Sequence, residues 1–499
     1  MKKNHQDLFT EIDELSIEQK IGMTLMVGIS GHFPDKTIYK RMENQHIASY
    51  ILFQKNTPDI ETTISLTNEL QNMADKLGLP PLLIAIDQEH GRVSRIKKGI
   101  TRLPASYGLG RLNNPQYVYN ASYIAGRELR ALGININFAP VADINTNPKN
   151  PIIGTRSFGE NPVRVSEMVR QSVKGYKDAG VICSAKHFPG HGDVAIDSHI
   201  DLPVSEKSLE ELQKVELLPF KASISESVPM IMTAHISYPK IDSNYPATLS
   251  PLILTELLRN DMGYDGVIIS DDLEMKALRH CGEITDLAIK MINAGCDMLI
   301  ISENLTQDVS VDEIYKALLK AVQDQIISTD HLDQSIKRIL SLRKNLLKQN
   351  NYPLNIIRKS ESVQASYQMM REVFLENPDS EHFPVSCDPD RLCIISDVEE
   401  LVSICPDINT RRLLLKENQS KEKILSILET SDEIFIFLLR LSYLEIFENI
   451  YWQANQNIRF FSLNNPYIQS KIKLKLASYI NLYAEFLPMK AFDDLLFKL

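Results

Sequence analysis

The chain alternates short apolar runs with longer segments in which apolar residues recur at helical spacing. Each apolar run has the length of a strand that is buried on both faces, and each following segment is long enough for a helix. Ser16-Ile17-Glu18-Gln19 precedes the first run with the capping-box pattern that begins a helix. The eight predicted strands lie near Thr24–Val27, Ser49–Phe53, Leu82–Ile86, Asn135–Val141, Ile182–Ala185, Met230–Ala234, Val267–Ile269 and Met298–Ile301.

Eight strand–helix units in about 340 residues are typical of a (β/α)8 TIM barrel. No Gly-x-Gly-x-x-Gly sequence follows any of the strands, which disfavours an open, doubly wound dinucleotide-binding sheet. We therefore predict an α/β chain whose first domain, residues 1–350, is a barrel.

The pattern changes after residue 350. Residues 351–384 are polar and carry no strand signal, so they are predicted to form a linker. Farther on, Leu392–Ile395, Glu433–Leu439 and Ile458–Leu463 are predicted strands separated by helical stretches. Residues 385–499 are thus expected to form a small α/β domain with little that resembles a site, in which the single tryptophan, Trp452, serves packing.

Composition restricts the partners and the compartment. The 499 residues include 64 acidic and 54 basic side chains, a net charge of −10 that argues against a nucleic-acid partner. The chain has no apolar run long enough to span a membrane, and its first residues lack an apolar signal-peptide core. The six cysteines show no Cys-x-x-Cys spacing. We expect a cytoplasmic protein with reduced thiols and no membrane contact.

Polar and ionisable side chains follow five of the predicted strands. In a barrel these positions share the carboxyl-terminal face, where enzymes of this architecture assemble their sites. The residues are Asp87, Arg92 and Arg95 after the third strand, Asp143, Asn145 and Arg156 after the fourth, Lys186, His187, His191, Asp193, Asp197 and His199 after the fifth, His235 after the sixth, and Asp271 and Asp272 after the seventh.

The densest group is the segment KHFPGHGDVAIDSH, residues 186–199, in which Pro189 and two glycines forbid a regular helix. A histidine near a carboxylate can donate and accept a proton at neutral pH, and Asp197 lies two residues before His199. An ionised Asp271 can attack a carbon electrophile or stabilise a developing cation.

Four further residues, Asp87, Arg156, Lys186 and His187, offer acceptors and cationic donors that suit several hydroxyls or an acetamido group. Together with Asp271 and His199, this combination favours glycosyl transfer through a covalent intermediate.

Other interpretations of single residues stay open. His187 and His191 have the spacing of a helical metal pair, but the intervening Pro189-Gly190 disfavours a helix, so no metal is expected. Asp272 has the position of a helix N-cap before LEMKAL. His235 is compatible with a core histidine as much as with a site residue, and His90 with a loop or pocket-rim position.

From about Leu15 to Arg343 the chain resembles glycoside hydrolase family 3, and specifically its β-N-acetylglucosaminidase (NagZ-like) branch. The motifs that carry the resemblance are AIDQEHGRVSRI, NFAPVADINTNPKNPIIGTRSFG, KHFPGHGDVAIDSH and GYDGVIISDDLEMKAL. The chain departs from the family pattern at His90-Gly91, where the family has two glycines, and an imidazole there is expected to narrow the pocket or alter its leaving-group side. The tail resembles a shortened version of the family's second α/β domain, and related two-domain proteins keep their catalytic groups in the barrel.

The resemblance implies a role for each matching position. Asp271 matches the catalytic nucleophile, His199 the acid/base and Asp197 its orienting partner. The positions that grip N-acetylglucosamine are matched by Asp87, Arg95, Arg156, Lys186 and His187.

The resemblance implies a retaining exo-β-N-acetylglucosaminidase that needs no cofactor and releases terminal N-acetylglucosamine, for example from muropeptides during cell-wall recycling. Two alternatives remain. A histidine acid/base would not repel phosphate as a carboxylate would, which allows an N-acetylglucosaminide phosphorylase. A catalytically inactive sugar-binding protein is the other.

Overall fold

The computed structural model describes residues 12–112, 114–195, 201–305, 310–347 and 352–375, together with the backbone of five strands in the remaining part. Eight parallel strands close into a barrel in chain order, with the last strand pairing back to the first at Leu25 and Leu299. The strands are β1 (Leu25–Gly28), β2 (Ser49–Leu52), β3 (Leu83–Ile86), β4 (Ile136–Asn137), β5 (Ile182–Phe188), β6 (Met230–Thr233), β7 (Val267–Asp272) and β8 (Met298–Ile301). The barrel predicted from the sequence is confirmed.

Helices surround the barrel and connect its strands. Several begin at a side-chain N-cap, such as Asp35, Asp59, or Asn161 followed by Pro162, which satisfies backbone N–H groups of the first turn. The α-helices are Ile17–Met23, Lys36–Gln45, Ile60–Lys76, Ser106–Arg111, Pro115–Ala131, Pro162–Asp178, Leu209–Lys214, Leu217–Ser225, Ile284–Ala294, Val311–Gln323, Thr329–Leu347 and Ser360–Leu375, and Leu252–Asp261 is a π-helix. No helix in the described part of the chain is long and apolar enough to cross a membrane.

Three barrel strands differ in length by more than one residue from the sequence prediction. β4 is only Ile136–Asn137 as a regular strand. Pro140 has no N–H to donate, although its carbonyl accepts from Lys186 at 3.2 Å and an isolated bridge joins Val141 to Lys186. In contrast, β5 and β7 continue three residues beyond their apolar runs. Polar side chains at their ends are therefore held by the sheet itself.

The segment predicted to be a linker contains the helix Ser360–Leu375, whose Met369, Met370 and Val373 are buried. The preceding turn is tied to the barrel layer, since the backbone N–H of Arg358 donates to Glu128 at 2.9 Å. This part of the predicted linker therefore packs on the barrel.

Farther along the chain, five parallel strands form a second sheet. They are β9 (Leu392–Ser396), β10 (Arg411–Leu414), β11 (Glu433–Leu438), β12 (Asn457–Ser462) and β13 (Ser478–Asn481), in the spatial order β10-β9-β11-β12-β13. The sequence predicted three of them, and missed β10 and β13, which are the two edge strands. Trp452 lies outside the described residues.

Barrel closure depends on a close backbone approach where β1 meets the end of β8. A Cβ atom on Gly28 would lie 1.6 Å from the carbonyl oxygen of Ser302, which leaves no space for a side chain.

We expect Gly28→Ala to lower the free energy of unfolding of the barrel by about 2 kcal/mol or more, because backbone must move to admit the methyl group. Calorimetry that follows the barrel transition would measure the loss. Gly31→Ala is the matched control, since a Cβ there would meet nothing within 4 Å. Equal effects of the two substitutions would contradict this explanation.

Candidate active site

A cleft of about 410 Å³ opens at the carboxyl-terminal end of the barrel strands. Its lining mixes a polar floor with apolar walls. The charged and histidine residues among the lining are Asp87, Glu89, Arg92, Arg95, Arg156, Lys186, His187, His191, Asp271 and Asp272, and the walls include Phe53, Phe138, Ile152, Met232, Met275 and Leu305. Six of the eight residues predicted for catalysis or binding line this cleft, namely the five sugar-gripping residues and Asp271. The other two, Asp197 and His199, lie outside the described residues.

The floor of the cleft is a chain of alternating charges. Arg95 pairs with Asp87 at 3.4 Å, and Asp87 accepts from the Lys186 ammonium at 2.7 Å. Lys186 also contacts Glu89 at 2.6 Å, and Glu89 accepts two hydrogen bonds from Arg156, at 2.8 and 2.9 Å. The side chains of Lys186 and Glu89 are almost fully buried, so water screens their interaction little.

Neighbouring charges decide the protonation of this floor. Burial alone would raise the pKa values of the Asp87 and Glu89 carboxyl groups, but the adjacent cations outweigh it and hold both pKa values below their ordinary range. Burial would likewise lower the pKa of Lys186, and the two carboxylates raise it instead. The floor is therefore fully ionised at neutral pH.

A small hairpin positions the acidic part of the floor. Gln88–His90 pairs with Val93–Ser94 directly after β3, and the Gln88 side chain accepts from the backbone N–H groups of Arg95 and Ile96. Asn137, at the end of β4, accepts from the Gln88 backbone N–H at 2.9 Å and donates to its carbonyl at 3.0 Å. These contacts fix the backbone between Asp87 and Glu89.

Asp143 orients the histidines at the end of β5. Its Oδ1 accepts from the backbone N–H groups of His187 and His191, and its Oδ2 accepts from Nδ1 of His187 at 2.7 Å. The opposite ring nitrogen of His187 lies 3.5 Å from Arg156. Burial and the neighbouring His187 lower the pKa of His191 to about 4, so its ring is neutral at pH 7.

No group of three or more histidine, cysteine, aspartate or glutamate side chains among the described residues has the geometry of a metal site. The two rings of His187 and His191 meet edge to face at 5.7 Å between centroids.

Asp271 and Asp272 both lie at the end of β7 and line the cleft. Asp272 Oδ1 accepts from the backbone N–H groups of Glu274 and Ser302, so it joins the ends of β7 and β8. The expected role of Asp272 as a helix N-cap is wrong, because Asp272 still belongs to β7 and the next element, the short 3-10 helix Lys276–Leu278, has Met275 at its N-cap position. Burial and the nearby carboxylates, including that of Asp271, raise the pKa of Asp272 to about 7.

Two residues with open interpretations lie away from the cleft lining. His90 has a left-handed backbone (φ 73°), is 8% exposed, and lines two small cavities beside the hairpin and the helices Ser106–Arg111 and Pro115–Ala131, but not the cleft. The expectation that it narrows the pocket is thus wrong. His235 is 1% exposed and contacts the backbone carbonyl of Asp272 at 3.1 Å, as expected for a core histidine.

Asp197 and His199 lie outside the described residues, and so do their neighbours from Ile196 to Ile200. The described part of this loop ends at Ala195 and resumes at Asp201. Their predicted roles therefore stay predictions.

Glu89 is the site residue that the sequence analysis missed. It stands two residues after Asp87, and alternate residues of an extended segment point to the same side. That spacing could have indicated a second carboxylate facing the same cations.

The profile described as glycosyl hydrolase family 3 N terminal domain matches residues 16–342. The chain therefore belongs to glycosyl hydrolase family 3, as the sequence motifs predicted, and the expected glycoside hydrolase class is confirmed.

Two kinds of relative agree with this assignment. "Beta-hexosaminidase A" of Pseudoalteromonas piscicida is 39% identical over 320 residues, which cover 60% of this chain and 54% of that protein. The chain thus matches about half the length of this relative.

Among solved structures, a family 3 β-N-acetylglucosaminidase of Paenibacillus sp. str. FPU-7 superposes with a TM-score of 0.88 at 28% identity, covering 97% of both chains. NagZ of Neisseria gonorrhoeae, solved with N-trifluoroacetyl-D-glucosamine, has a TM-score of 0.57 at 30% identity and covers 69% of this chain and 96% of its own.

We expect Glu89→Gln to lower the free energy of unfolding of the barrel by about 3 kcal/mol, because the amide leaves Arg156 and Lys186 buried without their shared counter-charge. Chemical denaturation followed by far-UV circular dichroism would measure this loss of unfolding free energy. Asp265→Asn is the control, since the Asp265 side chain is 92% exposed and its pair with Arg338 should contribute little. A loss no larger than that of the control would contradict the importance of Glu89.

Proposed function

We propose that this protein is a retaining exo-β-N-acetylglucosaminidase that removes a terminal N-acetylglucosamine through a glycosyl-enzyme intermediate on Asp271. The observation that carries the proposal is the ionised floor of Asp87, Lys186, Glu89 and Arg156 in the same cleft as Asp271. Relatives named β-hexosaminidase and β-N-acetylglucosaminidase support it.

The floor suits a sugar that presents several hydroxyls and an amide. The carboxylate of Asp87 can accept from two hydroxyls at once, while the neighbouring guanidinium groups and Lys186 can donate to hydroxyl or acetamido oxygens. Since each of these charges already has a partner of opposite sign, the floor offers directional hydrogen bonds without demanding a charged ligand. The NagZ relative solved with N-trifluoroacetyl-D-glucosamine supports an N-acyl glucosamine as the occupant.

In the proposed first step, a carboxylate oxygen of Asp271 attacks the anomeric carbon while His199 transfers a proton to the departing glycosidic oxygen. The bond from the anomeric carbon to that oxygen breaks as the Asp271 ester forms. In the second step, neutral His199 takes a proton from water, and the resulting hydroxide equivalent displaces Asp271 with a second inversion, so that the product retains its configuration.

Two further aspartates have roles in the proposed mechanism. Asp197 is proposed to hold the His199 ring and stabilise its protonated form. The raised pKa of Asp272 means that this neighbour is largely protonated below about pH 7, which limits repulsion between two adjacent carboxylates. Asp271 is the proposed nucleophile of the pair.

We further propose that the natural substrate is a muropeptide fragment with a terminal N-acetylglucosamine, handled in the cytoplasm during cell-wall recycling. The apolar and cationic rim formed by Arg92, Val93 and Leu305 would contact the leaving group.

We expect the purified protein to hydrolyse an aryl N-acetyl-β-glucosaminide and to leave the matching aryl β-glucoside intact, because the floor is suited to the acetamido group. Chromatography of the products with and without inorganic phosphate would identify free N-acetylglucosamine. A sugar 1-phosphate formed only with phosphate would instead establish a phosphorylase. Saturable sugar binding without turnover would establish a binding protein.

We expect Asp271→Ala to reduce kcat/KM by at least about 10³-fold on every substrate, since no other group forms the intermediate. His199→Ala should lose about 10²-fold on substrates with poor leaving groups but little kcat/KM on activated aryl glycosides, which need no proton. Steady-state kinetics over a series of leaving groups would measure this. If His199→Ala lost the same factor on all of them, the acid role would be wrong.

A further inference from the structure

The turn after β8, residues 302–305, forms part of the mouth of the cleft and is called the β8 turn below. Its Asn304 and Leu305 line the cleft, and Leu305 is 49% exposed. The side chains of Lys186 and Glu89 on the floor are, in contrast, almost fully buried. The β8 turn therefore lies at the opening of the cleft and not at its floor.

One buried carboxylate holds the β8 turn from the side of β7. Glu274 is 4% exposed, and its Oε2 accepts from the backbone N–H groups of Asn304 at 3.1 Å and Leu305 at 2.8 Å. The same oxygen accepts from the Ser302 hydroxyl at 3.0 Å. Because these backbone N–H groups need an acceptor, the position of the Glu274 side chain determines where the backbone of the turn lies.

Glu303, in the middle of the β8 turn, is held by a second set of contacts. Its backbone is left-handed (φ 48°), which a residue other than glycine adopts only where its surroundings hold it. The Arg41 guanidinium donates to both carboxylate oxygens of Glu303, at 2.8 and 2.7 Å, and Lys55 Nζ donates to its backbone carbonyl at 3.1 Å. The β8 turn is thus fixed by Glu274 and by Arg41 together.

We propose that Glu274 is a positioning residue, which holds the β8 turn so that Leu305 contacts the leaving group and favours leaving groups with an apolar substituent. This inference rests on the proposed function, in which the terminal sugar occupies the floor. The leaving group of an exo-acting enzyme then lies at the mouth, where Leu305 is half exposed. Covering the remaining surface of this leucine with an apolar group is favourable.

The test compares phenyl and para-alkylphenyl N-acetyl-β-glucosaminides, whose leaving groups have nearly equal acidity but differ in apolar size. We expect the wild-type protein to prefer the alkylated substrate about fivefold in kcat/KM, because part of Leu305 becomes buried against it. Leu305→Ala should lower this preference to about twofold or less. Inhibition by free N-acetylglucosamine, which occupies only the floor, should stay within about twofold of wild type.

Glu274→Ala removes the anchor and leaves the Leu305 side chain intact. We expect it to lower the preference for the alkylated substrate as far as Leu305→Ala does, while inhibition by N-acetylglucosamine is kept. Glu274→Gln should restore most of the preference, because the amide oxygen can still accept from the turn. Should Glu274→Ala fail to fold, Glu274→Asp makes the same test, since its shorter side chain cannot keep all three hydrogen bonds at their present lengths.

Glu128→Ala is the matched control. Glu128 is 2% exposed and, like Glu274, accepts from two backbone N–H groups and one hydroxyl: those of Thr101 at 2.7 and 2.6 Å, and the N–H of Arg358 at 2.9 Å. Neither of these partners lines the cleft. The control should lower the unfolding temperature without changing the preference between the two substrates. An equal loss of preference in the control, or an undiminished preference in Glu274→Ala, would overturn the proposal.

The double variant Glu274→Ala/Leu305→Ala tests whether Glu274 acts through Leu305. Its preference should equal that of Leu305→Ala alone, and a further loss would contradict the inference. Failure of the proposed function is separately visible. A wild-type protein that cleaves neither substrate would contradict that function and this inference with it, whereas hydrolysis of both substrates with equal kcat/KM would refute only the role of the β8 turn.

Discussion

The contact of Glu89 with Lys186 and Arg156 is the interaction on which the polar floor of the cleft depends. Two cations and one carboxylate are buried together at the end of the barrel, and each would be costly to bury alone. Asp87 supplies the second anion and Arg95 the outer cation. Because the charges alternate, the floor stays ionised and keeps its donors and acceptors at the cleft.

The barrel makes this arrangement possible by bringing distant segments to one face. Glu89 follows β3, Arg156 lies in the long connection after β4, and Lys186 belongs to β5. The parallel strands of the barrel bring these segments side by side. Asp87 and Lys186, for example, are in contact although they are 99 positions apart in the sequence. The extension of β5 and β7 beyond their apolar runs holds Lys186 and Asp271 in hydrogen-bonded strands, which suits groups that must keep a fixed geometry.

The loop after β5 is organised differently, since its support comes from side chains around it. Asp143 accepts from the backbone of His187 and His191, while Glu216 and Tyr238 contact the loop at Gly190. In the mechanism that we propose, the ionised floor would bind the sugar and the separately anchored loop would serve proton transfer. In the proposed mechanism these are the two tasks that the site must perform.

The sequence by itself determined the barrel, since eight apolar runs with intervening helical segments admit few other ways to bury both faces of a parallel sheet. It also placed Asp87, Lys186 and Asp271 on one face, because strand ends in a barrel point the same way. The spacing in AIDQEHGRVSRI can indicate that Glu89 lies on the same side as Asp87, but it does not show which residues from other strands they contact. Only the tertiary structure decided that Glu89 pairs with Arg156 and Lys186 and that His90 lies outside the cleft lining, since both depend on segments distant in sequence. The role of Asp272 was likewise decided by tertiary contacts. Its local sequence favours a helix cap, but the neighbouring strand end at Ser302 supplies a partner that no local pattern contains.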